Sequence, residues 1–330
     1  MPVKIFITRN IPAIGIDLLK EQFDLEIYPG RQPISREELK ATISHVSGIL
    51  CLVTDRIDAE IMDAAPRLKI ISNHAVGYDN VDVAEATRRG IAVTNTPGVL
   101  TEATADLAWA LLLAAARKIV PGDRLMRSGT FTGWDPLLLR GAELYGKTLG
   151  IIGAGRIGSA VARRSAGWRM KILYFNRSRR KKLESELGAV KVSLPELLGR
   201  ADFISVHLPL SGETRHFLGE AEFRLMKPTA ILINTARGPI VDEKALTKAL
   251  QEKEIAAAGL DVFENEPQMA AGLDKLDNVV LLPHLGSATV ETRNKMAEMA
   301  AQNLIRFFAG KENIYLVNPE IHNTAIGKDN

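Results

Sequence analysis

The sequence alternates short runs of aliphatic and β-branched residues with longer segments of helical periodicity, and it does so along most of its length. Strands that are separated by helices pair in parallel, and the intervening helices cover both faces of the sheet. The alternation is therefore typical of α/β proteins with parallel sheets. It runs in two separate series, which indicates two sheets.

The apolar runs delimit the strands of both series. The first series predicts strands at residues 3–8, 49–53, 69–72 and 91–94, with helical patterns at 36–42 and 58–65 between them. The second series predicts strands at residues 148–152, 171–175, 203–207, 230–234, 257–262 and 279–282. Six strands with interposed helices suit a complete doubly wound sheet. We therefore predict an α/β protein with two Rossmann-like or flavodoxin-like domains, each built on a doubly wound parallel sheet.

The chain has 330 residues, which is too long for one ordinary core and suits two compact domains. The second strand series is complete before an amphipathic pattern at 289–309, so this last helix is left over. We therefore predict a central domain, residues 99–287, inserted into a discontinuous outer domain, residues 1–98 and 288–330. A ligand is expected in the cleft between such domains.

Three further segments complete this outline. Long helices near 101–120 and 288–308 are expected to connect the two domains. Residues 121–147 are rich in turn formers and are predicted as turns. The polar tail at 321–330 is predicted to fray.

Composition limits the classes of function. Hydrophobic residues make up 46% and charged residues 25% of the chain, and a net charge of +3 is too small to favour nucleic acid. A single cysteine, Cys51, excludes an internal disulfide and a cysteine-rich metal cluster, and we predict no metal. The longest apolar run, 107–116, is too short for a bilayer, and the N-terminal pattern does not suit a signal peptide. We predict a cytoplasmic protein that binds neither nucleic acid nor membranes.

Gly153, Gly155 and Gly158 form a Gly-x-Gly-x-x-Gly pattern directly after a predicted strand and at the start of a helical pattern. In this context the pattern is the fingerprint of a dinucleotide site. Gly153 permits the tight turn, Gly155 lets the backbone approach a pyrophosphate, and Gly158 lets helix and strand pack closely. We therefore predict that the central domain, residues 99–287, is the NAD(P)-binding domain and that the outer domain, residues 1–98 and 288–330, is the substrate domain. The alternative is a glycine-rich turn without a ligand.

The segment after the next predicted strand bears on the choice of nucleotide. NAD(H) enzymes usually place an acid here to hold the ribose hydroxyls, whereas this chain has Asn176. Without that acid a 2′-phosphate is not repelled, and Arg177 and Arg179, on either side of Ser178, could pair with it. The alternative is a solvated basic start of a helix. We predict a preference for NADP(H), with some use of NAD(H) because Asn can still bond the ribose.

Arg237, Glu266 and His284 each follow a strand of the second series, where open α/β sheets bind their ligands. Reduction of a 2-oxo acid needs a cation for the carboxylate and carbonyl, a proton donor, and a carboxylate that orients the donor. Arg237, His284 and Glu266 can fill these roles in that order. Each could equally be a solvated or structural side chain, and spacing alone leaves both interpretations open.

A series of motifs resembles the D-isomer-specific 2-hydroxyacid dehydrogenases over nearly the whole chain, and within them the glyoxylate/hydroxypyruvate reductase branch. The motifs are 74–82 (HAVGYDNVD), 95–98 (NTPG), 101–106 (TEATAD), 146–151 (GKTLGI), 153–158 (GAGRIG), 234–238 (NTARG), 259–263 (GLDVF) with 266–267 (EP), and 283–287 (PHLGS). The resemblance implies NAD(P)H-dependent reduction of a small 2-oxo acid to the D-2-hydroxy acid, with hydride added at C2 and a proton from His284.

The resemblance also implies roles for single residues. It makes Arg237, Glu266 and His284 the catalytic set. The implied substrate-binding residues are Arg237, His284, Leu52, Trp134, and Val76 and Gly77 through their backbone N–H groups. The implied cofactor-binding residues are Thr104, Gly153, Gly155, Arg156, Ile157, Gly158, Asn176, Arg177, Ser178, Arg179, His207, Pro209, Thr214, Thr235, Ala236, Arg237, Asp261, His284 and Gly286.

Several alternatives stay open. Thr104 and Thr214 could instead cap a helix or form a turn. Trp134 could reach the active site of a neighbouring subunit or simply anchor a dimer, and we expect a homodimer. The same scaffold could act on 2-ketogluconate, D-3-phosphoglycerate, or phosphonate or phosphite. A non-catalytic NAD(H)-sensing regulatory protein is the alternative from another class.

Overall fold

The computed structural model describes residues 3–311 and 313–321. The chain forms two compact units, one of Met1–Leu100 with Ala288–Asn330 and the other of Thr101–Ser287. The predicted polar tail at 321–330 lies outside the described residues except for Ile321. The assignment of substrate and nucleotide to separate units stays a prediction.

The first unit contains a five-stranded sheet in the order β2-β1-β3-β4-β5, and every pair of neighbouring strands is parallel. Its strands are β1 (Lys4–Ile7), β2 (Asp24–Ile27), β3 (Gly48–Cys51), β4 (Ile70–Asn73) and β5 (Ala92–Thr94). Its helices are α1 (Ala13–Lys20), α2 (Arg36–Thr42), α3 (Ala59–Asp63), α4 (Val83–Arg88) and α12 (Val290–Phe308). Helix α12 packs against α1, where a Cβ added to Gly15 would lie 2.8 Å from the carbonyl oxygen of Ala297. The C-terminal helix therefore completes the fold of the N-terminal sheet.

The second unit contains a seven-stranded parallel sheet in the order β12-β11-β10-β9-β6-β7-β8. Its strands are β6 (Thr148–Ile152), β7 (Lys171–Phe175), β8 (Val190–Lys191), β9 (Phe203–Val206), β10 (Ile231–Asn234), β11 (Ala257–Leu260) and β12 (Val279–Leu281). Its helices are α5 (Thr101–Ala116), α6 (Ile119–Arg127), α7 (Arg156–Arg164), α8 (Lys181–Leu187), α9 (Leu194–Arg200), α10 (Glu220–Leu225) and α11 (Glu243–Gln251). The strand order reverses between β6 and β9, and doubly wound sheets bind ligands at such a point.

Two apolar cores, one on each face, hold this sheet between its helices. On one face α5 packs against β10 and β11, and Leu111 approaches so closely that a Cβ on Gly259 would lie 3.1 Å from it. The indole of Trp109 donates to the carbonyl of Val161 on α7 at 2.9 Å. On the other face Phe223 of α10 and Leu246 of α11 are fully buried. These layers fix the carboxyl edge of the sheet, where the predicted site residues lie.

The structure corrects several local predictions. The edge strands β2 and β8 were not predicted, because Asp24–Ile27 is short and half-exposed and Val190–Lys191 has only two residues. Part of the segment at 121–147, predicted as turns, forms α6. Pro121 lies in the first turn of that helix, where a backbone N–H has no intrahelical acceptor, so its missing N–H costs nothing.

No helix among the described residues is long and apolar enough to cross a lipid bilayer.

Candidate active site

The glycine turn after β6 has the conformation that its sequence predicts. Gly153 has φ of +94°, and a Cβ on it would lie 2.7 Å from the carbonyl oxygen of His207. A Cβ on Gly158 would lie 2.2 Å from the carbonyl oxygen of Gly153. Both glycines are therefore required by the close approach of β6, α7 and the end of β9. Larger residues would force these elements apart.

Gly155 differs from its two neighbours in the motif. It is the N-cap of α7, and a Cβ on it would meet no atom within 4 Å. Packing within the protein therefore does not require glycine here, whereas a ligand lying against the backbone would. Arg156 and Ile157 begin the helix, whose first N–H groups and partial positive charge suit a phosphate. The turn fits the pyrophosphate of a dinucleotide.

Polar side chains crowd the end of β7. The Nδ2 of Asn176 donates to the carbonyl of Ser178 at 2.9 Å. Arg177 forms an ion pair with Glu213, and the Arg179 guanidinium lies 2.8 Å from a carboxylate oxygen of Glu184. Both arginines are largely exposed, at 86% and 70% of their side-chain surface. The two predicted phosphate ligands therefore each have a carboxylate partner, which a 2′-phosphate would have to replace.

Two buried polar atoms near the same edge have no hydrogen-bond partner among the described residues. They are Nδ1 of His207 and Oγ1 of Thr235. The other ring nitrogen of His207 lies 2.8 Å from the hydroxyl of Ser205, and burial lowers the pKa of this histidine to about 3, so it is neutral at physiological pH. Buried polar atoms are rarely left without a partner. Both atoms therefore fit contacts with a bound nucleotide.

The hydroxyl groups of Thr104 and Thr214 form hydrogen bonds within the protein. Thr104 donates to the carbonyl of Gly286 at 2.9 Å, and Thr214 donates to the carbonyl of Pro209 at 2.7 Å. The N–H of Ser211 in turn donates to the Thr214 hydroxyl at 2.8 Å. For Thr214 the arrangement is the turn that sequence reasoning gave as its alternative role. Both threonines shape the loops that carry other predicted contacts.

His284 and Glu266 form a hydrogen-bonded pair. Nδ1 of His284 lies 2.9 Å from Oε2 of Glu266, and Oε1 of Glu266 accepts from the N–H of Phe263 at 3.1 Å. Partial burial opposes ionisation of Glu266, but the bond from His284, the N–H of Phe263 and the charge of Arg237 outweigh it and hold its pKa below the usual value. Glu266 is therefore ionised at neutral pH. The pair leaves Nε2 of His284 as the nitrogen that can exchange a proton with a ligand.

Asp261 shapes the loop that carries His284. Its carboxylate is buried and accepts from the N–H groups of Leu285 at 2.6 Å and Gly286 at 2.7 Å. The N–H of His284 donates to the Asp261 carbonyl at 2.9 Å, and His284 has φ of +56°. Burial raises the pKa of Asp261, although both N–H groups act in the opposite direction. The unusual backbone conformation of His284 is thus fixed by bonds to one residue.

Arg237 follows β10, which pairs with β11, the strand before Glu266, and β11 in turn pairs with β12, the strand before His284. Its backbone is held by Asn234, whose Nδ2 donates to the Arg237 carbonyl at 3.0 Å and whose Oδ1 accepts from the N–H of Ala236 at 3.0 Å. The guanidinium is close enough to lower the pKa of Glu266. The carboxyl ends of β10, β11 and β12 therefore bring all three sequence-predicted residues to one place.

The loop after β4 in the first unit presents two oriented N–H groups. The carbonyl of Ala75 accepts from the N–H of Thr96 at 2.9 Å, and the carbonyl of Val76 accepts from Nδ2 of Asn95 at 2.8 Å. In a trans peptide the N–H points away from the carbonyl of the preceding residue. These bonds therefore fix the directions of the N–H groups of Val76 and Gly77. Successive oriented N–H groups suit an anion such as a carboxylate.

Two asparagines tie this loop to Leu52. The amide of Asn80 donates to the Leu52 carbonyl at 3.1 Å, and the amide of Asn73 donates to the Gly77 carbonyl at 2.8 Å. The same amide of Asn73 lies 3.2 Å from Oδ1 of Asn80, which joins the two contacts. The sequence motifs contain Asn80 and Asn95, but no role was predicted for them or for Asn73. An asparagine near a strand end gives no sequence signal that separates such a support from an ordinary turn residue.

Trp134 lies on an exposed apolar surface of the second unit. Its side chain is 85% exposed, and Leu137 and Phe131 beside it in sequence are 68% and 43% exposed. Helix α6, a few residues earlier, has no buried residue. Among the described residues of its own unit, Trp134 is therefore not packed into a core.

A Rossmann-type unit that combines a dinucleotide turn with an arginine and a histidine–carboxylate pair defines a nicotinamide-dependent oxidoreductase. Comparison with known proteins narrows this class. Residues 109–286 match the family described as D-isomer specific 2-hydroxyacid dehydrogenase, NAD binding domain. The chain belongs to the D-isomer specific 2-hydroxyacid dehydrogenase family and is an oxidoreductase, as its sequence motifs indicate.

Three similar proteins span nearly the whole chain. A glyoxylate reductase of Thermococcus gammatolerans is 54% identical over 325 residues, which is 97% of each chain. The crystal structure of a glyoxylate reductase from Paecilomyes thermophila is 35% identical with a TM-score of 0.87, over 97% of this chain and 99% of that one. An NADPH-dependent glyoxylate/hydroxypyruvate reductase of Sinorhizobium meliloti, solved with NADP and malonate, is 36% identical with a TM-score of 0.85, over 96% and 97%. The predicted family and fold class are confirmed.

Proposed function

We propose that this protein uses NAD(P)H to reduce glyoxylate, hydroxypyruvate or a similarly small 2-oxo acid to the 2-hydroxy acid. The observation that carries the proposal is the 2.9 Å contact between His284 and Glu266, with Arg237 beside them at the carboxyl edge of the nucleotide sheet. The names of the relatives support the same reaction and the same size of substrate.

The chemistry divides between the nucleotide and the protein. The bound nicotinamide supplies a hydride for C2 of the acid. Arg237 binds the carboxylate and polarises the carbonyl, because a guanidinium matches both oxygen acceptors and carries a permanent charge. His284 gives the proton on Nε2 to the developing alkoxide, while Glu266 at Nδ1 stabilises the charged ring before transfer. The product is the D-hydroxy acid, or glycolate when the substrate is glyoxylate.

Residues of each unit supply the other contacts that we propose with the substrate and the nucleotide. In the first unit, assigned to the substrate, the N–H groups of Val76 and Gly77 bind a carboxylate and Leu52 supplies an apolar contact. In the second, assigned to the nucleotide, the Gly153–Gly158 turn holds the pyrophosphate. Nδ1 of His207 and Oγ1 of Thr235 supply polar contacts, since neither has a partner among the described residues.

A panel of substrates tests this function. Glyoxylate, hydroxypyruvate, pyruvate and 2-ketogluconate are each supplied with NADPH and with NADH, and oxidation of the nucleotide is followed by absorbance spectroscopy. The proposal predicts the highest kcat/KM with glyoxylate or hydroxypyruvate. A higher value with 2-ketogluconate would move the assignment to a larger acid. Nucleotide binding without turnover on any acid would instead indicate a nucleotide-sensing protein.

NADP(H) is the preferred nucleotide in this proposal. Arg177 and Arg179 follow the end of β7, and no acid occupies position 176. Nζ of Lys191 lies 3.3 Å from the Arg177 carbonyl and adds positive charge there. Glu213 and Glu184 compete for the two arginines, so the preference is moderate and NAD(H) is also used. The solved S. meliloti relative is described as NADPH-dependent, which supports this choice.

Replacing Arg177 by alanine is expected to weaken NADPH binding about tenfold and to leave NADH binding within about twofold, because one charged contact with the 2′-phosphate is worth roughly 1–2 kcal/mol. The dissociation constants are measured by titrating protein fluorescence with each nucleotide. The matched control is Arg88→Ala, which removes another exposed, ion-paired arginine. If the variant bound NADPH and NADH equally more weakly, Arg177 would not be a ligand of the 2′-phosphate.

A homodimer completes the proposal. Helix α6 and the segment that follows it expose Trp134, Leu137 and Met126, a concentration of apolar surface that soluble monomers rarely leave in water. A second copy of the chain would cover it with the same surface. Analytical ultracentrifugation should give twice the mass of the chain, and the double variant Trp134→Ser, Leu137→Ser should shift it toward the monomer. A monomeric wild-type protein would contradict this part of the proposal.

A further inference from the structure

Glu243 is a buried acid outside the residues that the proposed reaction uses. It is the first residue of α11, and only 5% of its surface is exposed. Its Oε2 accepts from the N–H of Glu264 at 2.7 Å, and its Oε1 accepts from the N–H of Ala270 at 2.7 Å. One carboxylate therefore holds two backbone groups that lie six positions apart.

These two bonds close the loop that carries Glu266. Residues 265–269 are exposed and belong to no helix or strand. A surface loop of this kind gains entropy when it opens, so its shape depends on the bonds at its ends. At one end the Glu264 side chain also lies 3.0 Å from the Arg215 guanidinium and 2.7 Å from Nε2 of His216. At the other end, the N–H of Ala270 donates its hydrogen bond to Glu243.

The path of the loop affects the proposed reaction through the position of Glu266. Oε1 of Glu266 is bonded to the N–H of Phe263 within the same segment, and Oε2 is bonded to Nδ1 of His284. The direction in which Glu266 points, and hence the orientation of the imidazole, depends on the path of the loop. A misplacement of about 1 Å near reacting groups can cost roughly 100-fold in rate.

We infer that Glu243 is a positioning residue, which acts on the reduction by holding the Glu266 loop so that Glu266 orients His284. The inference rests on the proposed function, in which His284 donates the proton. The residue type matters, because an ionised carboxylate offers an acceptor to each N–H, whereas glutamine offers one acceptor and turns an NH₂ donor toward the other. Glu243→Gln therefore keeps the size of the side chain and breaks one of the two bonds.

Amide hydrogen exchange tests the loop directly. In the full-length wild-type protein the amides of Glu264 and Ala270 should be protected, and in Glu243→Gln the peptide that covers 264–270 should exchange at least about tenfold faster. The matched control is Glu220→Gln. This removes an exposed carboxylate on the neighbouring helix α10 that pairs with Arg224 and Lys248. Unchanged exchange in Glu243→Gln would overturn the inference, whether or not the protein reduces any acid.

Kinetics separates positioning from a general loss of structure. Glu243→Gln should lower kcat with glyoxylate about 10- to 100-fold, while KM for glyoxylate and the dissociation constant for NADPH stay within about threefold. In a Glu266→Gln background the same change should have little further effect, because Glu243 acts through Glu266. A full additional loss in that background, or a wild-type kcat in Glu243→Gln, would overturn the inference. Absence of turnover in the wild type would instead refute the proposed function.

Discussion

Replacing His284 by alanine is expected to lower kcat for glyoxylate about 100- to 10,000-fold while the dissociation constant for NADPH changes less than about threefold. The histidine is the proposed proton donor, and the 2.9 Å bond to Glu266 fixes which ring nitrogen faces away from the carboxylate. The Gly153–Gly158 turn follows a different strand, β6, so we expect the variant to retain NADPH binding. Steady-state kinetics and fluorescence titration with NADPH measure the two quantities.

The backbone at position 284 calls for a second variant. His284 has φ of +56°, a conformation that asparagine tolerates better than alanine. His284→Asn should therefore keep the loop and lose the rate to a similar extent. The control is His45→Ala, which removes an exposed histidine that pairs with Glu26 in the first unit. Retention of wild-type kcat by both variants at position 284 would rule out the proton-donor role.

Replacing Arg237 by alanine is expected to lower kcat/KM for glyoxylate about 100- to 1,000-fold, or roughly 3–4 kcal/mol of transition-state stabilisation. The loss should affect KM and kcat together, because the guanidinium binds the carboxylate and also polarises the carbonyl. A second effect should accompany it. The charge of Arg237 helps to lower the pKa of Glu266, so that pKa should rise in the variant.

Two further variants make the result specific to Arg237. Arg237→Lys should recover part of the loss, because lysine restores the positive charge but cannot form a bidentate contact with the carboxylate. Arg224→Ala, which removes an exposed arginine on α10, should behave as wild type. If Arg237→Ala changed KM for the nucleotide and left kcat/KM for the acid unchanged, Arg237 would be a cofactor-binding residue and not a substrate-binding residue.

The sequence predicted the central strands well because their signal is long and apolar. Strand β10 consists of four fully buried residues, and the alternation of such runs with helices sets the parallel order. Edge strands carry no such signal. In β2 the residues Asp24–Ile27 are half-exposed and alternate in polarity, which also suits a loop between two helices. The predicted turns at 121–147 are wrong over α6, because turn formers such as Pro121 and Gly122 do not exclude a helix there and a proline is tolerated in the first turn.

The residues at the candidate site were predictable for a different reason. Arg237, Glu266 and His284 each follow a strand, and parallel strands end at a common edge, so chain position allowed the three to meet. The resemblance to the family then assigned their roles. Their supporting residues left no comparable signal. The carboxylates of Asp261 and Glu243 accept hydrogen bonds from backbone N–H groups of loops 21 to 27 positions away, and a sequence does not show the path of a loop. Glu243 in particular resembles an ordinary acid at the start of a helix.

Transfer of deuterium to hydroxypyruvate from NADPH that carries deuterium in both C4 positions of the nicotinamide follows the hydride itself. The product is analysed by NMR and by chromatography on a chiral column. We expect D-glycerate with one deuterium at C2. Glycerate without deuterium at C2 would contradict hydride transfer to C2, and formation of the L-enantiomer would contradict the proposed orientation of the acid by Arg237, Glu266 and His284.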